Sequence, residues 1–132
     1  MGYLEVLAEP GSKVLMLGNV AVARACLECG VGLASGYPGT PSFEVVEALA
    51  YVASKLGYPY AEWSVNEKVA FEAAYGAAIS GVPSVVSMKH VGLNVAADPF
   101  FSSAYTGVEV SLLVISADDP GMLSSQNEKD NR

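Results

Sequence analysis

The sequence predicts a single three-layer α/β/α domain built on a mainly parallel sheet. Short apolar runs alternate with segments of helical periodicity along the chain. The runs are apolar throughout rather than at every second residue, as strands covered on both faces must be. The length of 132 residues suits one domain, at about 100–200 residues each, so any function needing a second lobe must borrow it.

The first run is Val14–Leu17, stopped by Gly18 and Asn19, and the helix after it places Val22, Ala25, Cys26 and Cys29 on one stripe. Gly30 and Gly32 end that helix. A second strand over Leu33–Tyr37 leads into the turn Pro38-Gly39-Thr40-Pro41, where Thr40 can cap a helix and Pro41 can begin it. Val45, Val46, Leu49 and Val52 make that helix amphipathic, with Glu44 and Glu47 early and Lys55 late, as the helix dipole prefers. Gly57 and Pro59 close it. Tyr60–Ser64 is the third strand, Asn66–Ser80 the third helix and Ser84–Met88 the fourth strand. Leu93–Tyr105 reads as helix, kinked or split by Pro99, and Ser111–Ser116 as a fifth strand. Residues 1–12 form a leader and 13–132 the domain. The polar end, SSQNEKDNR, brings no further apolar run, which predicts that the chain is a piece of something longer.

Composition excludes several classes. Hydrophobic residues make up 52% and charged residues 16%, too apolar for a disordered chain. The net charge of −7 has the wrong sign for a nucleic-acid binder. The longest uncharged stretch, Ala73–Met88, is broken by Gly76, Gly81 and Pro83, so no membrane span is expected, and no signal peptide opens the chain. The expected location is cytoplasmic. One histidine and two cysteines leave no metal-ligand set.

In an open parallel sheet, ligands bind beyond the carboxyl ends of the strands. The loops that matter are therefore GNV, GYPGTPS, SVNEK, KHVGLN and ADDPG. Glu67 opens an Ala-rich helix just after a strand, but Ser64-Val65-Asn66-Glu67 also fits a capping box, which is the simpler local reading. A helix N-terminus favours the carboxylate and an apolar cleft the neutral acid, so a proton-donating role needs burial. Lys89 and His90 end a strand. His90 can serve as an acid-base group or meet a carboxylate substrate, or it can simply be satisfied by loop backbone. Asn94 and Asp98 stand one helical turn apart, where helix-start hydrogen bonding is the plainer role. Cys26-Leu27-Glu28-Cys29 matches C-x-x-C, yet it lies at a helix C-terminus, where the dipole disfavours a thiolate, so packing is its expected role. No dinucleotide fingerprint or P-loop occurs.

Taken in order, GYPGTPS, EWSVNEKVAFEAAYGAA, MKHVGLNVAADP and ADDPGMLSSQNEKDNR resemble the 2-oxoacid:ferredoxin oxidoreductases, most closely the alpha subunit of the indolepyruvate class, over Leu17 to Arg132. The resemblance implies the pyrimidine-binding domain of a thiamine diphosphate enzyme that oxidatively decarboxylates an aryl 2-oxo acid to an acyl-CoA, as in aromatic amino acid catabolism. Ferredoxin takes the electrons through iron-sulfur (4Fe-4S) clusters. It places Glu67 where the family carries the glutamate that bonds the aminopyrimidine nitrogen. Tyr37, Pro38, Thr40 and Asn94 become cofactor neighbours, and Thr40, Lys89 and His90 become substrate candidates. No Gly-Asp-Gly for diphosphate and Mg2+ is present, and no cluster-ligating cysteine set. Both are expected on a diphosphate-binding domain and a cluster-bearing region of the same subunit, with a beta subunit, ferredoxin and coenzyme A as partners. By itself the chain is then half a cofactor site. Two alternatives stay open: a subunit of a non-oxidative thiamine diphosphate-dependent 2-oxo acid decarboxylase, and a non-catalytic α/β assembly module.

Overall fold

A computed structural model describes residues 3–121. Its helices are α1 (Gly18–Glu28), α2 (Phe43–Leu56), α3 (Glu67–Ile79), α4 (His90–Val95) and α5 (Ala97–Thr106). Its strands are β1 (Leu33–Gly36), β2 (Tyr60–Trp63), β3 (Ser84–Lys89) and β4 (Leu112–Ala117), all parallel, in the order β2-β1-β3-β4. The predicted α/β class with a parallel sheet is the observed one. No helix among the described residues is long and apolar enough to cross a membrane.

Alternate side chains of the central strands serve two cores. Ala34 and Val85 meet α1 and α2 through Val20, Ala23, Cys26, Val45, Leu49 and Val52. Val86 and Met88 meet α3 and the α4–α5 junction through Ala70, Phe71, Ala74 and Ala96. Phe71 is wholly buried, and burying such a ring stabilises the fold by about 2–3 kcal/mol. Small residues bring α3 close to the sheet, and two strand hydroxyls exploit the approach. Ser35 Oγ donates to Ala70 O at 2.7 Å and Ser84 Oγ to Ala74 O at 2.6 Å. A short 3-10 turn, Leu4–Leu7, adds Val6 to the first core, and Arg24 fastens it by donating to Val6 O and Ala8 O.

Several expectations need correction. Val14–Leu17 is not a strand: it pairs with none of β1–β4, and Leu15 is 96% exposed. A run of four apolar residues suits a connector as well as a strand, and periodicity cannot separate the two. The buried face of α1 is Val20, Ala23 and Cys26, so of the predicted stripe only Cys26 is buried. Helix α2 begins at Phe43, after a turn closed by Ser42 N–H donating to Gly39 O, so Thr40 does not cap it and Pro41 does not start it. Its stripe is buried as expected, and Gly57 ends it in the left-handed region, its N–H donating to Ala53 O at 2.8 Å. The segment containing Pro99 is split at Ala96, which leaves Pro99 in the first turn of α5, where its missing donor costs little.

Candidate active site

The carboxyl ends of β1, β2 and β3 converge where β1 has no side chain. A Cβ on Gly36 would stand 2.8 Å from Ser87 O and 3.1 Å from both the Trp63 ring and a Val46 methyl. The bare strand end lets the indole close over it, and Ser64 N–H donates to Gly36 O at 2.8 Å. The chain then runs through Tyr37, Pro38 and Thr40, all exposed, and turns back on β3. Gly39 backs onto Lys89, where a Cβ would lie 3.1 Å from that of the lysine. Ser87 Oγ donates to Ser42 Oγ at 3.1 Å, and Asn19 Nδ2 donates to Pro41 O at 2.6 Å and Glu44 Oε2 at 2.7 Å. This loop is held at both ends, with Thr40 and Lys89 brought to one edge of the sheet.

Glu67 is the first residue of α3, and the cap is Asn66, whose Oδ1 accepts from Val69 N–H at 2.9 Å. The capping-box expectation is thereby overturned. That motif needs its glutamate at the third helical position, and here Glu67 stands at the first. Its half-buried side chain lies instead against α4. A Cβ on the buried Gly92 would meet Glu67 Cγ at 2.6 Å, Oε1 at 2.7 Å and Cδ at 2.9 Å. The carboxyl group thus rests on the bare backbone of α4, at the carboxyl edge of the sheet. Next to it, Lys68 Nζ pairs with Asp98 Oδ2 at 2.9 Å, a surface link between α3 and α5 whose hydrogen bond raises the lysine's pKa.

His90 is completely buried, and neither ring nitrogen has a hydrogen-bond partner among the described residues. Loop backbone therefore does not satisfy it, contrary to the simpler sequence reading. Asn94 lies exposed one turn further along α4. The Cys26 thiol is pushed above its ordinary pKa, first by burial and then by the neighbouring Cys29, whereas Cys29 is exposed at the helix end. Both are free thiols, and a raised pKa is opposite to what a redox nucleophile requires. Sequence reasoning missed Gly92 and Asn66. The signals were a lone glycine inside a helical pattern and an Asn directly before the first helical residue.

Comparison with known proteins gives the likeness directly. The chain is 58% identical over 125 residues to "Indolepyruvate oxidoreductase subunit IorA" of Methanothermobacter thermautotrophicus, covering 95% of this chain and 20% of that protein. It is 55% identical over 124 residues to the IorA subunit of Thermococcus kodakarensis, covering 94% of this chain and 19% of that protein. The chain is homologous to part of an IorA subunit. It spans about a fifth of the length of these IorA relatives. The fold agrees with that of a 2-oxoglutarate:ferredoxin oxidoreductase from Magnetococcus marinus, a structure with 2-oxoglutarate, coenzyme A and succinyl-CoA bound. There the TM-score is 0.67 at 23% identity, over 86% of this chain and 20% of that one. No family model matches the chain.

Proposed function

We propose that this chain is the pyrimidine-binding domain, at the N-terminal end, of a thiamine diphosphate-dependent indolepyruvate (aryl 2-oxo acid) ferredoxin oxidoreductase. The observation that carries this reading is the state of Glu67. Asn66 takes over the cap, so the carboxyl group is not consumed by its own helix and sits half-buried at the carboxyl edge of a parallel sheet. A glutamate so held fits the aminopyrimidine edge of the cofactor, which offers a ring nitrogen as its partner. The bare backbone at Gly92 leaves that side chain its space. When bound, thiamine diphosphate supplies a carbon nucleophile and an electron sink for decarboxylating 2-oxo acids.

The rest of the work falls to this chain's own side chains. Glu67 holds a proton at the ring nitrogen. The exposed Tyr37-Pro38 segment and Asn94 flank the cofactor, and Thr40 and Lys89 meet the substrate carboxylate from one edge, with the buried His90 the least direct of the substrate candidates. Diphosphate and Mg2+ are left to another domain, because the sequence holds no Gly-Asp-Gly, and the iron-sulfur clusters to a cysteine-bearing region of the same subunit. A beta subunit, ferredoxin and coenzyme A complete the reaction, in the cytoplasm. The test is Glu67→Gln in the full-length protein, assayed for carbon dioxide release and for proton exchange at the thiazolium carbon. Loss of both is expected. Normal exchange in the variant would remove Glu67 from the mechanism.

A further inference from the structure

We infer that Gly92 is a positioning residue, whose missing side chain sets where the Glu67 carboxyl group stands. The inference rests on the reading that Glu67 meets the cofactor, and it adds a residue to which that reading assigns no part. Gly92 lies in α4 and is absent from the glycines with positive φ, so its backbone does not require glycine. What requires it is space. The three atoms nearest to an added Cβ, at 2.6, 2.7 and 2.9 Å, all belong to the Glu67 side chain, and none is backbone. At Gly36, by contrast, the nearest atom is a strand carbonyl at 2.8 Å. A methyl group at position 92 is therefore accommodated by turning Glu67 about its own torsions, while α3 and α4 keep their packing. The fold survives and the acid moves. Because a hydrogen bond weakens steeply with distance and angle, a displaced carboxyl group loses its partner.

The experiment uses the full-length protein and measures thiamine diphosphate affinity, with saturating Mg2+, for Gly92→Ala, Gly76→Ala, Glu67→Ala and Gly92→Ala/Glu67→Ala. Gly76 is the control, a helical glycine with nothing within 4 Å of an added Cβ. Melting temperatures of the same set without cofactor supply a readout independent of binding. At least a tenfold loss of affinity in Gly92→Ala is expected, on the order of the 1.4 kcal/mol that a factor of ten represents. Gly76→Ala should bind normally, and Gly92→Ala should shift the melting temperature differently once Glu67 is already Ala. Normal affinity in Gly92→Ala, or melting shifts that simply add, would overturn the inference. If Gly92→Ala binds normally while Glu67→Ala does not, the positioning role alone has failed. If Glu67→Ala binds as well as the parent, the parent reading has failed and the positioning role falls with it.

Discussion

Asn66 accepts the Val69 N–H through its side chain, one residue before Glu67, and so satisfies the helix start without the acid. Division of labour between neighbours follows. Asn66→Ala should destabilise the domain by about 1 kcal/mol, because Val69 N–H loses its partner. The same change should weaken thiamine diphosphate binding in the full-length protein, as the first turn of α3 frays beneath Glu67. Asn66→Asp or Asn66→Ser, which restore the acceptor, should recover the melting temperature. A melting temperature unchanged by Asn66→Ala would show that the cap contributes nothing.

Gly36 and Gly76 should respond oppositely to alanine. At Gly36 the added carbon meets a backbone oxygen at 2.8 Å, which cannot move without disturbing the β1–β3 ladder, so a loss of about 1–3 kcal/mol is expected. At Gly76 there is open space, and a gain of up to about 1 kcal/mol is expected from helix propensity. Urea midpoints at constant slope check both. Equal effects of the same sign would contradict the packing described at the end of β1.

The two thiols should separate kinetically. Burial pushes the Cys26 thiol up and shields it, whereas Cys29 is exposed, so iodoacetamide near pH 8 should alkylate Cys29 first. Peptide mass spectrometry over time reads the order. Equal rates would mean that the first core opens readily around α1.

Tyr3 donates to Glu47, and its phenol is pushed up to about 12, first by burial, then by that hydrogen bond and the carboxylate charge. An unfolded tyrosine ionises near pH ~10. Between these values the unfolded chain releases a proton that the folded one keeps, so stability present below pH 10 falls as pH rises toward 12. Tyr3→Phe should flatten that part of the stability profile. Denaturation midpoints between pH 9 and about 11.5 decide this, and an unaltered slope would mean that Tyr3 does not contribute.

Much of the architecture was legible because the signals were local. The stripe of α2 and the glycine at its end lie within one segment, and both appear as read. Val14–Leu17 misled because an apolar tetrapeptide carries no information about whether it will pair in a sheet or run as a connector. The stripe of α1 was displaced because Val22, Ala25 and Cys29 are apolar, but the buried face, Val20, Ala23 and Cys26, is set by packing against α2, which no pattern within α1 records. At the site, Glu67 could be found from sequence, whereas its freedom from the cap could not. Ser64 and Asn66 both can cap, and only the backbone decides which one does. Gly92 matters through a residue on another helix, a relation no local pattern records.

The hydroxyl of Ser35 reaches out of the sheet to the carbonyl of Ala70, one turn beyond Glu67. With the bond from Ser84 to Ala74 it works as a depth stop: the two tie α3 to the strands beneath it, and so help set the height of the acid above the strand ends. A buried strand hydroxyl thereby bears on the reach of a half-buried acid, and small errors in that interior latch are carried up the helix to it.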